Sequence, residues 1–101
     1  MNAPHGTDAP FAPTQVPRLA RGVRLQWEAV PQLWILLYPE GRVELNGSAA
    51  EIMQRVDGKR SIGAIIEELQ QTFAVPDLHD DVMAALAMAR DHRWIEVGDA
   101  A

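Results

Sequence analysis

Leu33-Trp34-Ile35-Leu36-Leu37-Tyr38 constrains this chain more than any other stretch. Successive side chains of a strand point to opposite faces, so six apolar or aromatic residues in a row make both faces hydrophobic. A strand of that kind belongs at the centre of a sheet, flanked by neighbours and at least partly covered on each side. The flanking sequence supplies the neighbours. Val23-Arg24-Leu25-Gln26-Trp27-Glu28 alternates apolar and polar residues with period two, the pattern of a half-buried strand. Val30-Pro31 interrupts it. Pro39-Glu40-Gly41 has turn chemistry, and Arg42-Val43-Glu44-Leu45 alternates again. These segments predict a three-stranded antiparallel meander in chain order, with Arg42–Leu45 on an open edge.

The pattern then becomes helical. Asn46 can cap a helix over Ser48–Val56, with Ala49, Ile52, Met53 and Val56 at helical spacing before Asp57-Gly58 stops it. Ser61 can cap a second helix to about Phe73, with Ile62, Ile65, Ile66 and Leu69 as its buried stripe. Pro76-Asp77 opens a third that runs to about Arg93. Trp94–Val97 then forms a short closing strand or packed tail. Three strands followed by three helices imply an α+β fold with helices packed on the sheet, the layout also of a winged helix-turn-helix.

The chain has 101 residues, enough for one domain. Residues 1–17 contain four of the seven prolines and few large apolar side chains, which reads as an extended or flexible N-terminal arm. The domain proper is expected over residues 18–98. No signal peptide and no membrane-length apolar run is visible, so the protein reads as soluble and cytoplasmic, with no membrane partner.

Enzymatic chemistry finds little support. Ser48 and Ser61 sit where helix caps belong, and Gly41, Gly47, Gly58 and Gly63 are isolated and form no phosphate-binding loop. There is no cysteine, which excludes disulfides and thiolate ligands. His5, His79 and His92 lack metal-ligand spacing, and Asp80-Asp81 suit the first turn of a helix on dipole grounds. No catalytic residue, metal or cofactor is expected.

The third helix carries more apolar surface than a small core needs. Leu78, Val82, Ala85, Leu86 and Ala89 form one face, and Met83, Ala84, Ala87 and Met88 extend the apolar character around the circumference. His79, Met83, Leu86 and Arg90 make a stripe beside the core face. An open sheet edge can add a peptide strand, and methionine adapts to varied apolar side chains. Edge and stripe together predict a peptide groove. The alternative is a winged-helix DNA-binding regulator. Against it stand a formal charge of −5 and a third helix with Asp77, Asp80, Asp81 and Asp91 against only Arg90 and Arg93.

Several segments, taken in order, resemble the PqqD family of pyrroloquinoline quinone (PQQ) biosynthesis. They are Arg21-Gly22-Val23-Arg24-Leu25, Leu37-Tyr38-Pro39-Glu40-Gly41, Leu45-Asn46, Ala49-Ala50-Glu51-Ile52, and Asp57-Gly58 followed by Ile62, Ile65-Ile66 and Leu69. The resemblance runs from about Pro17 to Val97. It implies a winged-helix-like recognition element for a ribosomally made precursor peptide. It also implies that the domain binds the peptide PqqA by strand addition and presents it to PqqE, a radical S-adenosylmethionine enzyme, which would hold the iron–sulfur chemistry. Carried over by position, the peptide-binding residues are Arg42, Val43, Glu44 and Leu45 on the edge strand and Val82, Met83, Leu86 and Arg90 on the third helix. Val56 stands where relatives often carry cysteine, which implies a packing role there. The open edge can also pair with a second copy, so a homodimer is a further expectation to weigh.

Overall fold

The computed structural model describes residues 10–99. Strand β1 (Val16–Leu19) is followed by β2 (Arg24–Glu28), β3 (Leu33–Tyr38) and β4 (Gly41–Leu45), then by helices α1 (Gly47–Met53), α2 (Ile62–Phe73) and α3 (His79–Asp91), and finally by β5 (Ile95–Gly98). Strands β2, β3 and β4 form an antiparallel sheet in that order. The Leu33–Tyr38 run is thus the central strand that its two apolar faces require.

One face of β3 enters the main core through Leu36, which is completely buried. Val43 and Leu25 are partnered with it across the sheet and pack on the same cluster. The helices add Ile52 and Met53 from α1, Ile62, Ile65, Ile66 and Leu69 from α2, and Val82, Met83, Leu86 and Ala89 from α3. Val56, just past the end of α1, is buried in the same cluster.

The caps follow the local chemistry. The Asn46 side chain accepts the Ala49 N–H at 2.8 Å, and the Ser61 hydroxyl accepts that of Ala64 at 3.1 Å. Each satisfies a backbone donor that the first helical turn leaves free. Helix α3 starts later than the Pro76-Asp77 signal suggests. Asp77 adopts a left-handed φ of 60°, and the Leu78 N–H donates to the Gln70 side chain at 2.9 Å, so the helix begins only at His79. It ends before Arg93, whose φ of 64° is also left-handed.

The N-terminal segment departs from expectation. The boundary expected at residue 18 falls inside β1, which pairs antiparallel with β5 through Val16↔Gly98, Pro17↔Val97, Arg18↔Glu96 and Leu19↔Ile95. Phe11 and Pro17 are buried. Carbonyls from this strap meet donors elsewhere: Pro13 accepts from Gly63 at 2.9 Å, Gln15 from Ile62 at 2.8 Å, and Pro17 from Gly58 at 3.0 Å. Two of these donors are first-turn N–H groups of α2, which have no partner inside the helix. Residues 10–17 therefore belong to the folded domain. The remainder of the expected arm, residues 1–9, lies outside the described residues.

Candidate functional site: the β4 edge and its apolar groove

Among the described residues, strand β4 has a partner on one side only. Tyr38 and Gly41 are paired across the two-residue loop Pro39-Glu40, and the pair closing so short a hairpin is a hydrogen-bonded one. Bonded and non-bonded pairs alternate along an antiparallel ladder. Val43 and Leu45 therefore turn their backbone groups toward β3, while Arg42 and Glu44 turn theirs to the open edge. The side chains alternate as well. Arg42 and Glu44 are exposed, whereas Val43 and Leu45 are half-buried and pack on the core.

Beyond Leu45 the chain turns through Asn46 into α1, and there a groove of about 690 Å³ opens. Its walls include Asn46, Gly47 and Ser48 from the start of α1, Leu69 and Phe73 from α2, and Leu78, Asp81, Ala85 and Met88 at α3. The surface is mainly apolar and still open to solvent: Phe73, Val75 and Met88 are 47%, 40% and 46% exposed. These apolar side chains stand open together in one concavity, which makes the groove a candidate binding surface.

The structure divides the residues expected from the sequence. Arg42, Val43, Glu44 and Leu45 lie together on the open edge strand. Val82, Met83 and Leu86 are 1%, 4% and 0% exposed and belong to the core; Val82 also lines the groove, whereas Met83 and Leu86 do not, which corrects the placement of those two on a ligand-facing stripe. Met83, expected at the surface beside the core, is buried in the same cluster as Phe11 from the N-terminal strap. Arg90 remains exposed, with its guanidinium over the Phe11 ring at 4.8 Å from the ring centre. The open flank of α3 carries Leu78, Asp81, Ala85 and Met88. Asp81 and Ala85 went unnoticed as site residues. The signal for Met88 was present in the surplus apolar surface of the third helix, but not the choice of flank.

A cluster of ion pairs adjoins the groove through Glu51. Arg55 bridges Glu51 and Glu68 at 2.9 Å each, and Arg60 reaches the other oxygen of Glu68 and also Asp57. The Asp57 carboxylate accepts the backbone N–H groups of Lys59 and Arg60 at 2.9 Å each. Those bonds, the Arg60 N–H foremost, and the nearby Arg60 charge hold its pKa below the ordinary carboxylate value. The network ties α1 to α2 across the turn between them. Among the described residues, no group of three or more His, Cys, Asp or Glu side chains could hold a metal ion, and no helix is long and apolar enough to cross a membrane.

The fold is thus a mixed α/β domain whose free sheet edge leads to an apolar groove. The solution NMR structure of the PqqD truncation of Methylobacterium extorquens PqqCD, described as a functional and stand-alone RiPP recognition element, matches this fold with a TM-score of 0.72. The two are 32% identical, and the match covers 87% of this chain and 96% of that one. Residues 34–95 match the family described as Coenzyme PQQ synthesis protein D (PqqD). Proteins named PqqA binding protein from Azotobacter vinelandii and Stutzerimonas stutzeri are 48% and 44% identical over 83 and 85 residues, which cover 81% and 83% of this chain and 90% and 92% of the relatives. A Pseudomonas aeruginosa protein of the same name is 46% identical over 83 residues, 81% of this chain and 90% of that one. The chain belongs to the PqqD family.

Proposed function

We propose that this protein binds the PqqA precursor peptide as an added strand on the open edge of β4 and presents it to PqqE, without catalysing a step itself. The observation that carries the reading is the outward-facing backbone of Arg42 and Glu44 on a strand that leads into the apolar groove. An extended peptide can exchange main-chain hydrogen bonds with such an edge while alternate side chains seat beside it. The names of the relatives, given to proteins of nearly the same length, point to the same ligand. The winged-helix-like description belongs to this reading too, since a sheet followed by three helices offers an edge and a helix face side by side.

The test is an amide NMR titration of the protein with synthetic PqqA. Strand addition moves the resonances of Arg42–Leu45, and slows amide exchange at Arg42 and Glu44 in particular. Saturating peptide that leaves those four residues unshifted counts decisively against the edge. Adding PqqE to the preformed complex tests presentation: a ternary complex broadens the signals of the protein while the bound-peptide shifts persist.

A further inference from the structure

We infer that the surface where β4 begins, at the end of that strand away from the groove, docks an acidic segment of the enzyme that receives the peptide. This rests on the reading of the protein as a carrier that presents PqqA, and it names the face on which the enzyme sits.

A second concavity, of about 490 Å³, lies there. Pro39 and Glu40, the loop leading into β4, line one side, and His92, Arg93 and Trp94, just past α3, line another. Arg21 joins them from the turn before β2. That turn closes through the Val23 N–H, which donates to the Ala20 carbonyl at 3.0 Å, and the Ala20 N–H donates to the Trp94 carbonyl at 2.9 Å. The aromatic lining is stacked. The Trp94 ring lies 4.5 Å from that of His92 and 5.9 Å from that of Tyr38.

Cations gather around it. Arg21 and Arg93 are exposed and have no ion-pair partner among the described residues. Arg24 and Arg42 are likewise absent from those ion pairs, and they flank Leu37 across the sheet, one residue before Tyr38. These arginines concentrate positive charge at one end of a chain whose formal charge is −5. Glu40 and Asp91 are the acids lining the concavity, and Arg90 lies 3.8 Å from Asp91. The balance favours an acidic protein surface, while acids set among the arginines disfavour the uniformly anionic backbone of a nucleic acid.

The backbone singles out Arg93. The Trp94 N–H donates to the Ala89 carbonyl and the Arg93 N–H to that of Arg90, both at 2.9 Å, which makes Arg93 the left-handed residue of a Schellman turn. Its φ of 64° suits glycine and strains an L side chain. A strained arginine on the rim of a concavity points to use of its charge. The place also suits presentation. A peptide paired along Arg42–Glu44 has one end toward the groove and the other beside Pro39-Glu40, so an enzyme held here meets the peptide where it leaves β4 without occupying the groove.

The experiment is calorimetric titration of PqqE into the protein preloaded with synthetic PqqA, at two salt concentrations, with PqqA affinity measured separately for each variant. The variants are Arg21→Glu, Arg93→Gly and, as a control in the α1–α2 turn, Lys59→Glu. Arg21→Glu weakens PqqE binding about tenfold and flattens its salt dependence, whereas Lys59→Glu binds as wild type. Arg93→Gly weakens it roughly threefold while raising the thermal midpoint by about 4 °C, a gain that a merely structural role for the side chain would not give. Both arginine variants keep wild-type affinity for PqqA. Wild-type PqqE binding in both overturns the docking surface and leaves presentation standing. Failure of the wild-type complex to bind PqqE overturns presentation and the docking surface with it. Equal loss in Lys59→Glu assigns the effect to net charge and overturns the local site. Parallel loss of PqqA binding in the arginine variants does the same, by placing them in the peptide site. Duplex DNA that binds at low salt and is released by both arginine substitutions overturns the enzyme as the occupant.

Discussion

The guanidinium of Arg90 lies over the Phe11 ring, 4.8 Å from its centroid. This contact ties the chain's own N-terminal strap to one flank of α3, while the other flank lines the open groove. Phe11→Ala should therefore act on stability. Deleting a buried aromatic side chain costs about 3–5 kcal/mol, a large share of the total for a domain of this size. Arg90→Ala should cost only about 0.5–1 kcal/mol, the worth of an exposed cation–π contact, and should leave PqqA affinity unchanged. Urea unfolding midpoints and a binding isotherm for each variant measure both effects.

Two proline substitutions on β4 should have opposite consequences. At Val43 the backbone N–H points to β3, so Val43→Pro removes a ladder bond inside the sheet and costs about 1–3 kcal/mol. At Glu44 the N–H faces the open edge, where proline is tolerated. Glu44→Pro should keep the unfolding midpoint near that of wild type and lose PqqA binding. Equal destabilisation in the two variants would show that the ladder alternation derived from the Tyr38–Gly41 pair is wrong.

Met83 and Leu86 should behave as core residues. Leu86 is completely buried and Met83 nearly so, and truncating either to alanine costs about 2–5 kcal/mol. Under conditions where each variant is still folded, its affinity for PqqA should match wild type. Met88→Ala should show the reverse, a small change in stability with weaker binding. Paired denaturation and binding measurements on the three variants separate the two flanks of α3.

What the sequence revealed, and what it concealed, follows from the range of the interactions. Leu33–Tyr38 announces a central strand because its pattern alone demands cover on both faces. Asn46 and Ser61 announce caps because their hydrogen bonds reach only three residues ahead. β1 escaped notice because its partner, β5, lies at the other end of the chain, and because Pro17 argues locally against a strand. Proline has no N–H to contribute, yet the Pro17 carbonyl still accepts from Gly58. The open flank of α3 was concealed for the same reason. Met83 and Ala85 sit on either side of a broad apolar arc, and helical periodicity treats them alike. Only long-range packing decides that Met83 is buried, in a cluster that includes Phe11, and that Ala85 lines the groove.

The Asp57 turn should give the fold a specific sensitivity to acid. Its carboxylate accepts the Lys59 and Arg60 N–H groups and faces the Arg60 side chain, and these hold its folded pKa below the ordinary 3.8. A carboxylate whose pKa is depressed by folding binds protons more readily in the unfolded chain, so stability falls as pH falls. The contribution is complete above the unfolded value near 3.8 and is lost as pH drops below it through the folded value. Asp57→Asn keeps a side-chain acceptor for the turn but cannot titrate. The variant should be less stable than wild type at neutral pH, with a gap that narrows as pH is lowered below about 4. Thermal midpoints of both proteins between pH 7 and pH 2.5 measure this, and a constant gap across the range would mean that the turn owes its stability to something other than the Asp57 charge.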